Sequence, residues 1–241
     1  MKVVERFLAG VFMVSMFLVI IISSVELAVY ADYDYFREEF EKYNVNNKEG
    51  IVNMEMDELV RVTKEMMSYL RGDRDTLVID AVIDGQVKEF FNDREKSHMA
   101  DVRDLFVAAI DVRAAASLMV VVSFVNLCML LYMKDIKILL YNAYKTTLVV
   151  LAGVITGLVA WCLIDFTGAF YKFHALFFSD YEWLLDKRNS RLINILPEGF
   201  FVDTATRIVV IFIMLILIMG GLLLFSMKKR MAKPGNRAEI A

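Results

Sequence analysis

Ile208–Met227 reads IVVIFIMLILIMGGLLLFSM, a run without a single charged side chain. Roughly 20 residues at 1.5 Å rise match a bilayer hydrocarbon core of about 30 Å. A buried helix of a globular protein rarely stays apolar around its whole circumference for that length. Working back toward the N-terminus, Phe7–Val29, Ala114–Met133 and Thr146–Ile164 are similarly apolar, with Glu26 near the end of the first as their one charged residue. Hydrophobic residues make up 58% of the chain and charged residues 24%, so the two kinds must be segregated along it. The mean hydropathy is +0.52. The pattern predicts a mainly α membrane protein with four transmembrane helices and excludes an ordinary soluble domain.

Lysine and arginine in the short loops set the orientation. They occur at Lys2 and Arg6, at Lys134, Lys137 and Lys145, and at Lys228, Lys229, Arg230, Lys233 and Arg237. Four alternating spans put those three places on one side, so both termini are expected in the cytoplasm. Five regions follow: 1–29, the first span; 30–113, an extracytoplasmic domain; 114–165, two spans with a short cytoplasmic loop; 166–207, a second outer segment; and 208–241, the fourth span with a basic tail. Val29-Tyr30-Ala31 has small residues at the two positions a signal peptidase reads. The apolar run before it is long for a signal peptide, so an uncleaved anchor is expected. The outer segment is rich in Asp and Glu and the net charge is −3, with no basic patch to suggest a nucleic-acid partner. Cys128 and Cys162 fall inside spans without a CxxC spacing, so they read as small apolar packing residues.

The outer domain opens with an aromatic, polar stretch from Tyr30 to Asn47, suited at its start to the headgroup level. A helix is predicted over about Met54–Arg71, with Asn53 as N-cap and Gly72 ending it in the left-handed conformation. Its apolar face is Met56, Leu59, Val60, Thr63, Met66, Met67 and Leu70. Thr76–Ile83 and Gln86–Phe91 read as strands of a hairpin joined by Asp84-Gly85. The region between spans 1 and 2 is therefore a small extracytoplasmic α+β domain, a helix plus a β-hairpin. Asn92–Arg113 looks helical and leads into the second span. Between spans 3 and 4, Phe166–Phe178 (FTGAFYKFHALFF) is dense enough in aromatics to lie in the membrane interface. Asp165 before it reads as a cap. Trp183–Phe201 is amphipathic, with Pro197 starting or breaking a short helix, and Arg207 reads as a snorkelling anchor.

The chain contains only two histidines, His98 and His174, one in each outer segment. Histidine is the side chain most readily tuned to exchange a proton near neutral pH. Two of them flanking a substrate divide the work of base and acid; each alone also reads as a hydrogen-bonded structural residue. A zinc site on His98, Asp101, His174 and a fourth ligand is a further reading, without an HExxH or similar motif behind it. No GxSxG elbow or Gly-rich phosphate loop occurs, and Ser97 and Ser179 stand near the histidines without a recognisable nucleophile motif. A nucleophile for acyl transfer would then come from the substrate.

Two blocks, FFNDREKSHMADVRDLF (Phe90–Phe106) and FHALFFSDYEWLLDKRNSRLINILPEGFF (Phe173–Phe201), resemble the signature segments of a Gram-positive integral membrane family that includes the lipoprotein intramolecular transacylase. The four-span layout agrees over nearly the whole chain. The resemblance implies transfer of the sn-2 acyl chain of a diacylglyceryl-modified lipoprotein to the α-amino group of its N-terminal cysteine. The partners it implies are a diacylated lipoprotein and membrane lipid, and it implies no external cofactor and no metal. The family's two catalytic histidines map onto His98 and His174. Supporting or substrate-binding residues are sought at Asp101, one turn from His98; at Tyr171 and Lys172 as oxyanion donors, beside backbone N–H groups near His174; and at Trp183 and Glu198 in the second block.

Three readings compete: this acyltransferase; a non-enzymatic membrane protein whose outer domain binds a partner in the cell envelope; and a transporter, disfavoured because ionisable residues are nearly absent from the span interiors. A straight helix over residues 92–133 would carry His98 some 20 Å beyond Arg113, at about 1.5 Å per residue. A break between about Val102 and Ala115, or insertion of the chain near Leu105, is therefore expected.

Overall fold

The computed structural model describes residues 2–48, 51–178 and 183–228. In chain order the elements are α1 (Lys2–Tyr30), α2 (Asp34–Lys42), β1 (Asn47–Lys48), β2 (Val52–Asn53), α3 (Met56–Arg71), β3 (Asp80–Ile83), β4 (Gln86–Glu89), α4 (Asp93–Leu130), α5 (Met133–Ile164), α6 (Phe166–Phe177), α7 (Arg191–Ile195) and α8 (Glu198–Lys228). Helices α1, α4, α5 and α8 are the four long and apolar enough to cross a membrane. The basic tail beyond Lys228 lies outside the described residues. The chain forms two compact units, one from residues up to 23, 112–164 and 210 onward, the other from 24–111 and 165–209.

The first unit is built from the apolar runs. Its core takes Ala9, Met13 and Phe17 from α1, Leu127 from α4, Ile136, Leu140 and Tyr144 from α5, and Phe212 and Ile216 from α8. The four-residue spacing within α1, α5 and α8 is the inward stripe of helix–helix packing. The remaining faces expose Val149, Leu163, Leu217 and Leu222, an apolar exterior suited to lipid rather than water. Tyr144 donates to the Ile216 carbonyl at 3.2 Å, and a Cβ on Gly220 would lie 2.6 Å from the Tyr144 hydroxyl. Cys128 and Cys162 are free thiols but exposed. Neither belongs to this core, so their reading as packing residues is corrected.

In the second unit, α3 buries Leu59, Val60, Thr63, Met66, Met67 and Leu70 as its periodicity demands. Gly72 closes it at φ 89°, with the amides of Gly72 and Asp73 donating back to Tyr69 and Ser68. The hairpin pairs Val82 with Val87 and Ile83 with Gln86. Asp84 and Gly85 turn at φ 52° and 73°, the left-handed pair a two-residue hairpin requires. Its strands are shorter than expected. Ala81 and Ile83 point into the core and Asp80 and Val82 outward. Arg61 on α3 reaches the Asp80 carbonyl at 2.6 Å while pairing with Glu58 and Glu65.

Asn53 is not the α3 cap. That position is Glu55, without a side-chain capping bond. Asn53 instead sits in β2, part of a small ribbon with β1 that periodicity did not reveal, and its side chain donates to Asp84 at 3.0 Å. The polar stretch after α1 forms α2, burying Tyr35, Phe36 and Phe40. Arg207 lies over the Tyr35 ring at 4.2 Å, and 3.8 Å from Asp32.

The largest correction concerns α4. It is one helix from Asp93 to Leu130, with no break between Val102 and Ala115. The segment contains neither glycine nor proline and carries Ala108, Ala109 and Ala114–Ala116, so nothing local ends the helix. Pro197 acts at a boundary: α7 stops before it and α8 starts at Glu198 directly after it.

Candidate active site

Both histidines belong to the second unit, and each is placed by a capped helix. Asn92 and Glu95 form a reciprocal capping box at the start of α4. The Asn92 side chain accepts from the Glu95 amide at 2.9 Å, and the Glu95 carboxylate accepts from the Asn92 amide at 2.8 Å. His98 follows one turn later. Asp165 caps α6 by accepting from the Gly168 amide at 2.8 Å, as expected, and His174 lies in the last turn of that helix.

The two imidazoles meet. Their ring centroids are 5.9 Å apart with planes inclined by 35°, and both residues are buried. Aromatic rings form the walls. Phe178 stands edge-on to His98 at 5.1 Å and lies 5.4 Å from His174. Around His174 are also Phe170 at 4.0 Å, Trp183 at 4.9 Å and Phe173 at 5.5 Å. Such apolar surroundings keep water away from the two imidazoles.

His174 Nδ1 is 2.8 Å from the Phe170 carbonyl oxygen. A carbonyl only accepts, so Nδ1 carries the hydrogen, and the neutral ring keeps its lone pair on Nε2. Burial pushes the His174 pKa below the usual 6.5, against a smaller opposing effect of the Phe170 bond. The ring is therefore neutral at pH 7, with a basic nitrogen free of its helix.

Trp183 belongs to the cluster, and Tyr171 sits at its rim, exposed and edge-on to Trp183 at 5.2 Å. Asp101 is half-buried one turn along α4 from His98. Lys172 and Glu198 are exposed and take no part in the ring contacts. Ser97 is exposed on α4, and Ser179 lies outside the described residues. Among the described residues no three His, Cys, Asp or Glu side chains are grouped to hold a metal ion.

Sequence reasoning missed the frame beneath this cluster. Glu95 has no exposed surface and accepts from Ser190 Oγ at 2.6 Å and from the Leu192 amide at 2.8 Å. Arg191 donates to the carbonyls of Ile51, Glu89 and Phe90. The Asn-x-x-Glu spacing at 92–95 was a readable capping signal; the partners at 190–192 were not.

The sequence model of the family described as "Lipoprotein intramolecular transacylase Lit" matches residues 10–201. Among solved structures, the membrane integral lipoprotein intramolecular transacylase Lit from Bacillus cereus is similar with TM-score 0.70 and 21% identity, covering 96% of this chain and 100% of that one. Two variants of the B. cereus protein with one histidine replaced are also similar. The alanine variant gives TM-score 0.70 and 19% identity, covering 96% of this chain and 97% of that one. The arginine variant gives 0.71 and 21%, covering 96% of each. At such identities the likeness shows a shared fold. No curated protein sequence matches the chain significantly.

Proposed function

The chain belongs to the lipoprotein intramolecular transacylase family, a multi-pass membrane enzyme, and on that premise we propose that it moves the sn-2 acyl chain of a diacylated lipoprotein to the amine of the lipoprotein's N-terminal cysteine, with His98 and His174 as its acid–base pair. One observation carries this reading: the chain's only two histidines share a buried aromatic cluster with ring centroids 5.9 Å apart.

The chemistry needs a proton taken and a proton given. The substrate's neutral amine attacks the ester carbonyl, and an N–C bond forms. A base removes the amine proton, the tetrahedral intermediate collapses, and the C–O bond to glycerol breaks. An acid then protonates the departing glycerol oxygen. His174 is the base, because its Nδ1–H is committed to the Phe170 carbonyl and its Nε2 lone pair remains. His98 is the acid. After one turnover the extra proton sits on His174, and the proximity of the rings allows its return to His98.

Amine and ester belong to one molecule, so holding the chains against Phe170, Phe178 and Trp183 converts binding into proximity, and effective molarities for such reactions reach about 10⁵ M or more. Excluding water also suppresses hydrolysis of the ester. The α6 backbone N–H groups around His174 are engaged within the helix, so oxyanion donation falls to the side chains of Tyr171 or Lys172. Asp101 orients the His98 ring and Glu198 holds the substrate's N-terminus, whose amine enters the site already deprotonated, in the same proposal. The active side is extracytoplasmic, both termini are cytoplasmic, and the natural partners are diacylated lipoproteins in the outer leaflet.

The test is mass spectrometry of a diacylated lipoprotein co-expressed with the enzyme. Wild type is expected to yield an N-acylated lyso product, and His98→Ala and His174→Ala to reduce it by at least about 100-fold. Fragmentation locates the chain left on glycerol at sn-1. An unmodified amine beside well-folded wild type, or full activity in either variant, overturns the proposal.

A further inference from the structure

We infer that Glu95 is a positioning residue for the histidine pair: its buried carboxylate joins the first turn of the helix that carries His98 to the loop that carries Trp183, and so sets the spacing of His98 from His174. The inference rests on the acid–base role proposed for those histidines.

The connection is continuous in hydrogen bonds and packing. Glu95 is fully buried and Ser190 nearly so. One carboxylate oxygen accepts from Ser190 Oγ and the Leu192 amide, at 2.6 and 2.8 Å, and the other accepts from the Asn92 amide at 2.8 Å. From Ser190 the fixation runs backward along the loop. The Ser190 amide donates to the Asp186 carbonyl at 2.9 Å. Asn194 holds the carbonyls of Lys187 and Ser190, each at 2.7 Å. The Leu185 amide closes on the Trp183 carbonyl at 3.0 Å. Trp183 then packs on His174 at 4.9 Å. On the other side, His98 stands three residues beyond Glu95 on the same helix.

A carboxylate suits this place because every approaching group is a donor. Glutamine would turn an N–H₂ toward at least one of them, and no rotamer of the amide satisfies all three. Glu95 touches no reacting atom in this arrangement. Its loss should misplace the rings without weakening the apolar surface that binds the acyl chains, and a displacement of about 1 Å lowers the rate of an oriented reaction by roughly 100-fold.

The experiment uses the full-length enzyme in a Trp161→Phe background, which leaves Trp183 as the sole indole. Glu95→Gln and Ser190→Ala are compared with the parent for kcat and KM on a diacylated lipoprotein, and for quenching of Trp183 emission as His174 is protonated. Glu95→Gln is expected to lower kcat by about 10- to 100-fold with KM little changed, and to shift the quenching midpoint. Ser190→Ala should do so more weakly, with the double variant no worse than Glu95→Gln alone. Parental kcat and midpoint in folded Glu95→Gln overturn the inference, as does a loss confined to KM. If Glu95→Gln does not fold, parental values in Ser190→Ala overturn it equally. Failure of the parent to N-acylate would refute the proposed reaction, while the Trp183 titration still reports whether Glu95 sets the environment of His174.

Discussion

The indole of Trp183 lies 4.9 Å from the imidazole of His174, with the two planes inclined by 33°. A protonated imidazole at this distance quenches indole emission, so Trp183 reports the charge on His174. Burial lowers the His174 pKa from 6.5. Emission in the Trp161→Phe enzyme is therefore expected to fall on acidification with a midpoint below 6.5, and the acid limb of kcat/KM to fall with it. A midpoint above 6.5 would contradict both the burial argument and the choice of His174 as base.

The same shift bears on stability, and its sign is definite. The folded state holds a proton on His174 less tightly than the unfolded chain, so the unfolded state takes up more protons as pH falls. The contribution is fully present above about 6.5, the unfolded value, and is lost as pH drops through the lower folded pKa. Thermal melts in detergent between pH 8 and pH 5 should show a steeper acid loss in the parent than in His174→Phe. Parallel melting curves would count against it.

Asp165→Ala removes the cap that starts α6, and with it the acceptor for the Gly168 amide. Lost caps cost about 0.5–2 kcal/mol. Because α6 carries His174, the variant should lose activity beyond its fall in melting temperature, whereas Asp165→Asn should retain most of both. Differential scanning fluorimetry beside a lipoprotein acylation assay separates the two effects.

The parts legible in the sequence were those where local chemistry leaves one solution. Bilayer thickness dictates four long apolar runs, and Asp84-Gly85 and Gly72 mark places where the backbone turns left-handed. Only two histidines were available to form an acid–base pair. The parts that escaped depend on contacts distant along the chain. Glu95 and Ser190 are 95 residues apart, and no periodicity announces such a bond. Asn53 had the chemistry of a cap, but strand pairing with β1 took its backbone and Asp84 took its side chain. The expected break in α4 came from an argument about membrane depth. Locally the segment is an unbroken helix former, and local propensity was the better guide.

Arg191→Lys tests the frame from the other side of the loop. The guanidinium bonds three backbone carbonyls, of Ile51, Glu89 and Phe90, at 3.1, 3.2 and 2.9 Å, and lies 6.0 Å over the Phe90 ring. An ammonium keeps the charge but not the planar fork. The expected loss is about 1–3 kcal/mol, read as a lower melting temperature, with protease sensitivity rising at residues 84–90 and 187–192. Unchanged melting and protection would show that charge alone suffices there.

Gly199→Ala probes the junction at the start of α8. A Cβ at this position would lie 2.5 Å from Tyr43 Cζ and still closer to the hydroxyl. That hydroxyl donates to Asp203 at 2.5 Å, and Asp203 also pairs with Lys42. The ring is thus tied from its far end and cannot simply swing away, so overpacking should cost about 1–3 kcal/mol. In a Tyr43→Ala background the obstruction is gone, and the same substitution should cost under about 0.5 kcal/mol, because residues in contact are not additive. A double-mutant cycle on melting temperature measures the difference. Equal costs in both backgrounds would mean that the close approach of Tyr43 is not what demands glycine at 199.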